Sequence, residues 1–369
     1  MPKTKDATNW PLVGNEKVGN FLLKSLLKGS LSGAYIFSGP GDLGKTTAAK
    51  FFAKVLLCEN VSKPNAKLPC EICPSCKKMD ITPRSEGRGK SGQDGRKGEV
   101  REKEKIDLSG RHGDLLIIKK DPEKKNISIG QIREFIRRMS LGSFLGNYKV
   151  GIIKDADYLS QEASNALLKI LEEPKKKVVI ILTAADLDKI LPTIISRCQV
   201  LNFSPVKASL IHDYLIKERG IGRSQAKNLS RLSLGRPALA LKFLEGKNFQ
   251  DEYLKVAGSF LRILPADLNE RLREVDGCFK KKETGQDLVK SAERILDIWQ
   301  GLARDLILEE RGLSDLIQHE ALIDEIRAAR KHLDLLKLTK LLAQIKRGRE
   351  YINANVNPKL VLEEIVINI

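Results

Sequence analysis

Ile36-Phe37-Ser38-Gly39-Pro40-Gly41-Asp42-Leu43-Gly44-Lys45-Thr46 reads as a buried strand, a glycine-rich turn and the first turn of a helix. Gly39, four intervening residues and then Gly44-Lys45-Thr46 complete a phosphate-binding, or Walker A, pattern. Glycines let backbone N–H groups close around phosphate oxygens at a helix N-terminus, the lysine reaches the β and γ oxygens, and the threonine hydroxyl holds Mg²⁺. The context supports the motif, because apolar residues precede it and an amphipathic helix from Thr47 to Leu57 follows. Asp42 stands where many such loops carry glycine, and a carboxylate there is expected to weaken phosphate affinity without abolishing the site. ATP or ADP with Mg²⁺ is the ligand the loop suggests.

The 369 residues exceed the size at which one core keeps growing, so two or three domains are expected. No stretch approaches the ~20 apolar residues needed to span a bilayer. The N-terminal Met1-Pro2-Lys3-Thr4-Lys5-Asp6 has no apolar signal region, and the expectation is a cytoplasmic chain without a membrane partner. With 65 Lys and Arg against 47 Asp and Glu, the formal charge is +18. That charge suits a polyanion such as DNA, and it suits equally a solvated lysine-rich surface. Aromatic residues are not interleaved with the basic ones, so DNA contact would fall on phosphates without reading sequence.

Upstream of the loop, Glu16 to Lys28 has helical spacing, and Ala34 to Phe37 is the first core strand. Downstream come Cys58, Cys70, Cys73 and Cys76, a C-x11-C-x2-C-x2-C pattern. Four thiolates so spaced close a tetrahedral structural Zn²⁺ site with no position left open for catalysis, and disulfides are the poorer alternative in a cytosolic chain. Cys198 and Cys278 stand alone. Residues 80–111 mix glycine with charges of both signs and carry almost nothing apolar, which predicts a flexible insertion.

Order resumes with Asp114 to Ile118, a strand; Ser128 then caps a helix from Ile129 to Met139. Lys149 to Asp155 is a second buried strand ending in an acid, Ser160 to Glu173 a helix, and Val178 to Thr183 a further strand. Alternating strands and helices predict a parallel sheet with ligands at the carboxyl ends of its strands. After Pro205 the β character disappears. Lys207–Lys217, Gly222–Leu232 and Arg236–Leu244 read as three short helices, and from Phe249 the pattern is helical to the end, where Asn357-Pro358 starts a last helix.

A phosphate loop needs an acid at a neighbouring strand end to hold Mg²⁺ through its water shell, and Asp155 is placed for that. The next residue is Ala156, whereas ATPases of the AAA+ class normally carry there a glutamate that orients water; Asp157 falls one residue too far along and should point elsewhere. Thr183 is placed as a γ-phosphate sensor, and Arg236 as a second sensor at the start of a lid helix. Asn165-Ala166-Leu167-Leu168-Lys169-Ile170-Leu171-Glu172-Glu173-Pro174 and Leu191-Pro192-Thr193-Ile194-Ile195-Ser196-Arg197-Cys198 resemble the clamp-loader subunits of bacterial DNA polymerase III over nearly the whole chain. Asp155-Ala156, Leu191-Pro192-Thr193 and the Asn357 to Glu363 ending resemble the delta-prime branch more than the gamma/tau motor. The glycine-rich insertion is not part of that resemblance.

The resemblance implies an AAA+ α/β P-loop domain over 1–204 with a zinc module at 58–76 and the insertion at 80–111. A helical lid over 205–247 and an all-α collar over 248–369 would follow. It implies a stator in a hetero-pentamer with gamma/tau and delta subunits that loads the β sliding clamp onto primed DNA, within a nucleotidyltransferase holoenzyme but without competent ATPase activity of its own. From spacing alone Arg197 reads equally as a surface arginine; the resemblance makes it an arginine finger acting on the neighbouring subunit. The intact Gly44-Lys45-Thr46 keeps a gamma/tau-type motor as the alternative.

Overall fold

The computed structural model describes residues 10–63, 66–79, 112–121, 124–143, 147–280, 283 and 285–369. The chain divides into two compact units, Met1–Pro205 and Val206–Ile369. The expectation for residues 80–111 lies outside the described residues.

In the first unit the elements are α1 (Glu16–Leu27), β1 (Ala34–Ser38), α2 (Lys45–Leu56), α3 (Pro74–Lys78), β2 (Leu115–Ile118), α4 (Ile129–Met139), β3 (Lys149–Ile153), α5 (Gln161–Glu172), β4 (Val178–Ala184), α6 (Pro192–Ile195) and β5 (Gln199–Asn202). The five strands form one sheet in the order β2-β3-β4-β1-β5, and every pairing is parallel. Four of the strands are buried along their full length, which is why they read as continuous apolar runs.

Successive side chains of a strand point to opposite faces, and the core divides accordingly. Tyr35, Phe37, Val150, Ile152, Val179 and Ile181 pack with Phe52, Leu56 and Leu22 on one face. Ala34, Ile36, Ile153, Ile180 and Leu182 pack with Phe135, Leu167 and Ile194 on the other. Helix α4 begins as its sequence predicts: Ser128 accepts from the N–H of Gln131, and the Gln131 side chain accepts from the N–H of Ser128. β5 is the element the apolar pattern did not announce. It is an edge strand, and of its four residues Leu201 alone is buried.

The second unit is helical: α7 (Ala208–Arg219), α8 (Arg223–Leu232), α9 (Pro237–Glu245), α10 (Lys247–Ile263), α11 (Leu268–Cys278), α12 (Gly285–Glu310), α13 (Ile323–Arg330), α14 (Leu335–Asn353) and α15 (Pro358–Ile367). The Ala292, Ile295, Trp299, Leu302 and Leu306 stripe of α12 is buried at its centre. A polar knot ties this unit together. The fully buried Asp305 carboxylate accepts from the backbone N–H groups of Gln318 and His319 and pairs with His319 Nδ1 at 2.7 Å. His319 Nε2 meets the Tyr253 hydroxyl at 2.9 Å, and Gln318 Nε2 donates to the Leu232 carbonyl of α8.

Candidate functional site

Strand β1 delivers the chain to the phosphate loop at a place where the strand order switches direction. From β1 the chain crosses to β2 at the far edge, whereas β4 is followed by β5 on the other side of β1. The carboxyl ends of β1, β3 and β4 therefore open onto a crevice of the kind in which parallel sheets bind ligands.

Gly39 begins the turn with φ 135°, and a Cβ there would lie 2.2 Å from the Phe203 carbonyl oxygen. Its N–H donates to the Ala184 carbonyl at 3.2 Å, while the Phe203 N–H donates to Ser38 O at 2.7 Å, so the loop entrance is clamped between β4 and the end of β5. Gly44 has φ 87° and caps α2. Asp42 is also left-handed, with φ 61°, the conformation that makes glycine the ordinary occupant. Lys45 is buried, and its ammonium donates to the carbonyls of Gly39 and Pro40. Burial lowers its pKa, and the charges of Asp155, Asp157 and Asp42 oppose that shift. Thr46 follows on the first turn of α2.

Asp155 leaves β3 in a left-handed conformation, φ 55° and ψ 55°. Its N–H donates to Thr183 Oγ1 at 3.1 Å, and Thr183 is buried on β4, so the threonine expected to sense phosphate also fixes the acid's turn. Ala156 is buried at 2% exposure among the apolar residues of the second sheet face. Asp157 turns to the segment just beyond β4. Its Oδ1 accepts from the Ala185 N–H at 3.4 Å, burial raises its pKa, and Asp155 raises it further. Gly39, Gly44, Lys45 and Thr46 thus follow β1 through the loop into α2, with Asp155 and Thr183 at the carboxyl ends of β3 and β4. Arg236 belongs to the second unit, immediately before Pro237 at the start of α9, where its N–H donates to the Ser233 carbonyl.

The four cysteines converge. One sulfur from each of Cys58, Cys70, Cys73 and Cys76 lies within 4.8 Å of the others, so the cluster can hold a metal ion. Cys70 and Cys76 sulfurs stand 3.9 Å apart. The N–H groups of Cys73 and Cys76 donate to the sulfurs of Cys70 and Cys73, at 3.4 and 3.3 Å. Burial raises the Cys58 and Cys76 thiols; at Cys70 burial also acts upward, but the N–H groups of Cys73 and Ile72 prevail and bring it to about 6. Two polar links dock the knuckle on the sheet domain. Lys54 of α2 pairs with Glu71 at 2.5 Å, and Ser75 joins Glu59 at 3.1 Å to the buried His112 at 3.2 Å.

Arg197 lies two residues before the edge strand β5. Its Nη1 donates to Thr193 O at 2.9 Å and Ser196 Oγ at 3.2 Å, and its Nη2 pairs with Glu172 Oε1 at 2.9 Å. The contact with Glu172 was not foreseen, since nothing local links the end of α5 to the end of α6.

The family described as DNA polymerase III, delta subunit, matches residues 14–86 and 87–207. DNA polymerase III subunit delta′ of Bacillus subtilis (strain 168) is 26% identical over 362 residues, which cover 95% of this chain and 94% of that protein. DNA polymerase III subunit tau of the same organism is 34% identical over 200 residues, 54% of this chain but only 30% of that protein. Among solved structures, a DNA polymerase III gamma subunit-related protein of Thermotoga maritima is 17% identical, with a TM-score of 0.47 over 94% of this chain and 97% of that one.

Proposed function

The chain belongs to the DNA polymerase III delta-subunit family, and from that premise we propose that it is the delta-prime-type, non-motor subunit of a clamp loader. In this reading it assembles with gamma/tau and delta subunits, helps to place a sliding β clamp on primed DNA, and contacts that DNA through phosphates. Its location is the cytoplasm. Among the described residues no helix is long and apolar enough to cross a membrane.

The observation that carries the non-motor role is Ala156. The crevice supplies Gly39, Gly44, Lys45 and Thr46 for phosphates and Asp155 for hydrated Mg²⁺, with Thr183 beside it. Binding a triphosphate exchanges the bonds of Lys45 to the Gly39 and Pro40 carbonyls for bonds to phosphate oxygens. Water-directed hydrolysis needs in addition a base or acceptor next to Asp155, and a buried methyl group offers none. Asp157 lies one residue further along the chain, with its Oδ1 accepting from the Ala185 N–H. ATP or ADP is held here as a structural ligand of the AAA+ type.

Zinc fits the cysteine cluster. Zn–S bonds of about 2.3 Å in a tetrahedron place sulfurs about 3.8 Å apart, against 3.9 Å between Cys70 and Cys76. Bound Zn²⁺ supplies folding free energy to a knuckle whose own apolar core is small.

Arg197, beside the sheet edge, acts in trans on the nucleotide of a docked gamma/tau neighbour. Reconstitution tests this directly. Arg197→Ala should leave the chain assembled while lowering the neighbour's ATP hydrolysis on the order of 10³-fold, the scale of arginine fingers elsewhere. An unchanged rate would reduce Arg197 to a surface arginine.

A further inference from the structure

Glu172 ends α5, and Arg197 follows α6; their carboxylate and guanidinium meet at 2.9 Å with side-chain exposures of 48% and 36%. Each is anchored from beneath: Ile170 and Leu171 bury the end of α5, and Ile194 buries α6. The pair therefore joins two elements whose positions are already fixed by the core. An exposed ion pair contributes little to folding, so its chief effect is on where the guanidinium sits. Nη1 donates to Thr193 O and Ser196 Oγ, and Nη2 forms the ion pair with Glu172. Among the described residues Nε makes no hydrogen bond, so the guanidinium fork keeps donors for an oxyanion.

We propose that Glu172 is the positioning residue of Arg197: it holds the guanidinium on the α5 side so that the fork meets a phosphate of the neighbouring subunit without a search among arginine rotamers. This rests on the reading of Arg197 as a trans-acting finger. Losing an exposed, ion-paired carboxylate should cost about two- to five-fold in the neighbour's kcat, the range of exposed ion pairs. KM for ATP should not move, because in this proposal Glu172 acts through Arg197 alone.

The test uses the complex reconstituted with gamma/tau and delta subunits, with Glu172→Ala, Glu172→Gln, Arg197→Ala and the double variant compared by steady-state ATP hydrolysis. The expected result is a kcat loss in Glu172→Ala, a smaller loss in Glu172→Gln, which keeps an acceptor oxygen, and no further loss when Glu172→Ala is added to Arg197→Ala. A full rate, or a raised one, in Glu172→Ala alongside a strong loss in Arg197→Ala would overturn the positioning role while sparing the finger. Equal losses from Glu172→Ala in both backgrounds would also overturn it, since they reveal a general structural effect. No loss in Arg197→Ala removes the finger itself and the proposal with it.

Discussion

Replacing Gly39 by alanine probes the geometry on which the phosphate loop depends. At φ 135° an L side chain is strained, a cost of about 1–3 kcal/mol. The new Cβ would also lie 2.2 Å from the Phe203 carbonyl oxygen, whereas such contacts do not occur below 3.0 Å, so the backbone must open by 3.0 − 2.2 = 0.8 Å. Forcing a packed segment apart adds about 1–3 kcal/mol. The displaced segment includes the Phe203 N–H bond to Ser38 that secures the end of β5. The sum, about 2–6 kcal/mol, is a large part of the 5–15 kcal/mol that stabilises a typical domain. Gly41→Ala is the control, because nothing lies within 4 Å of its added Cβ; its effect should stay within about 1 kcal/mol. Urea unfolding followed by circular dichroism measures both, with nucleotide binding in parallel. A Gly39→Ala chain as stable as Gly41→Ala, binding nucleotide unchanged, would show that the loop does not depend on the close approach of Gly39 to Phe203.

Three further outcomes are expected. Lys45→Met keeps the apolar stem but removes a charge-assisted contact worth about 1.5–3 kcal/mol, so titration with a fluorescent ATP analogue should show binding weakened roughly ten- to a hundred-fold with the circular dichroism spectrum unaltered. Metal analysis should find one Zn²⁺ per chain, and Cys73→Ser or a strong chelator should release it and expose the knuckle to protease while nucleotide binding persists. Asp305→Ala strands the buried N–H groups of Gln318 and His319 and the His319 imidazole; a loss of about 3–5 kcal/mol should appear in urea unfolding.

Much of the sheet domain is legible because its strands are buried on both faces and so read as apolar runs. Ser128 announces α4, and its capping box with Gln131 is present. β5 stays hidden for the converse reason: an edge strand with one buried residue has no run to display. The five-residue α3 is hidden by its length, inside a segment whose pattern is set by cysteine spacing. The glycines and Lys45 of the site are local and readable. The bond from Asp155 to Thr183 spans 28 positions, and Glu172 meets Arg197 across 197 − 172 = 25. Both depend on neighbouring elements being brought side by side by the fold, which residue spacing does not encode. The partner of Asp157 is likewise distant in sequence, since the N–H it caps belongs to Ala185, just beyond β4.

Nucleotide binding without turnover follows from Ala156 beside Asp155. Its most direct test is steady-state hydrolysis by the isolated chain at saturating ATP and Mg²⁺, with bound nucleotide quantified in the same sample and Lys45→Met as the reference. Bound ATP is expected, with a release of phosphate no faster than that of the reference, because Ala156 leaves the attacking water unoriented. Turnover on the order of 1 s⁻¹ or faster, lost in Lys45→Met, would contradict it and make the chain a motor.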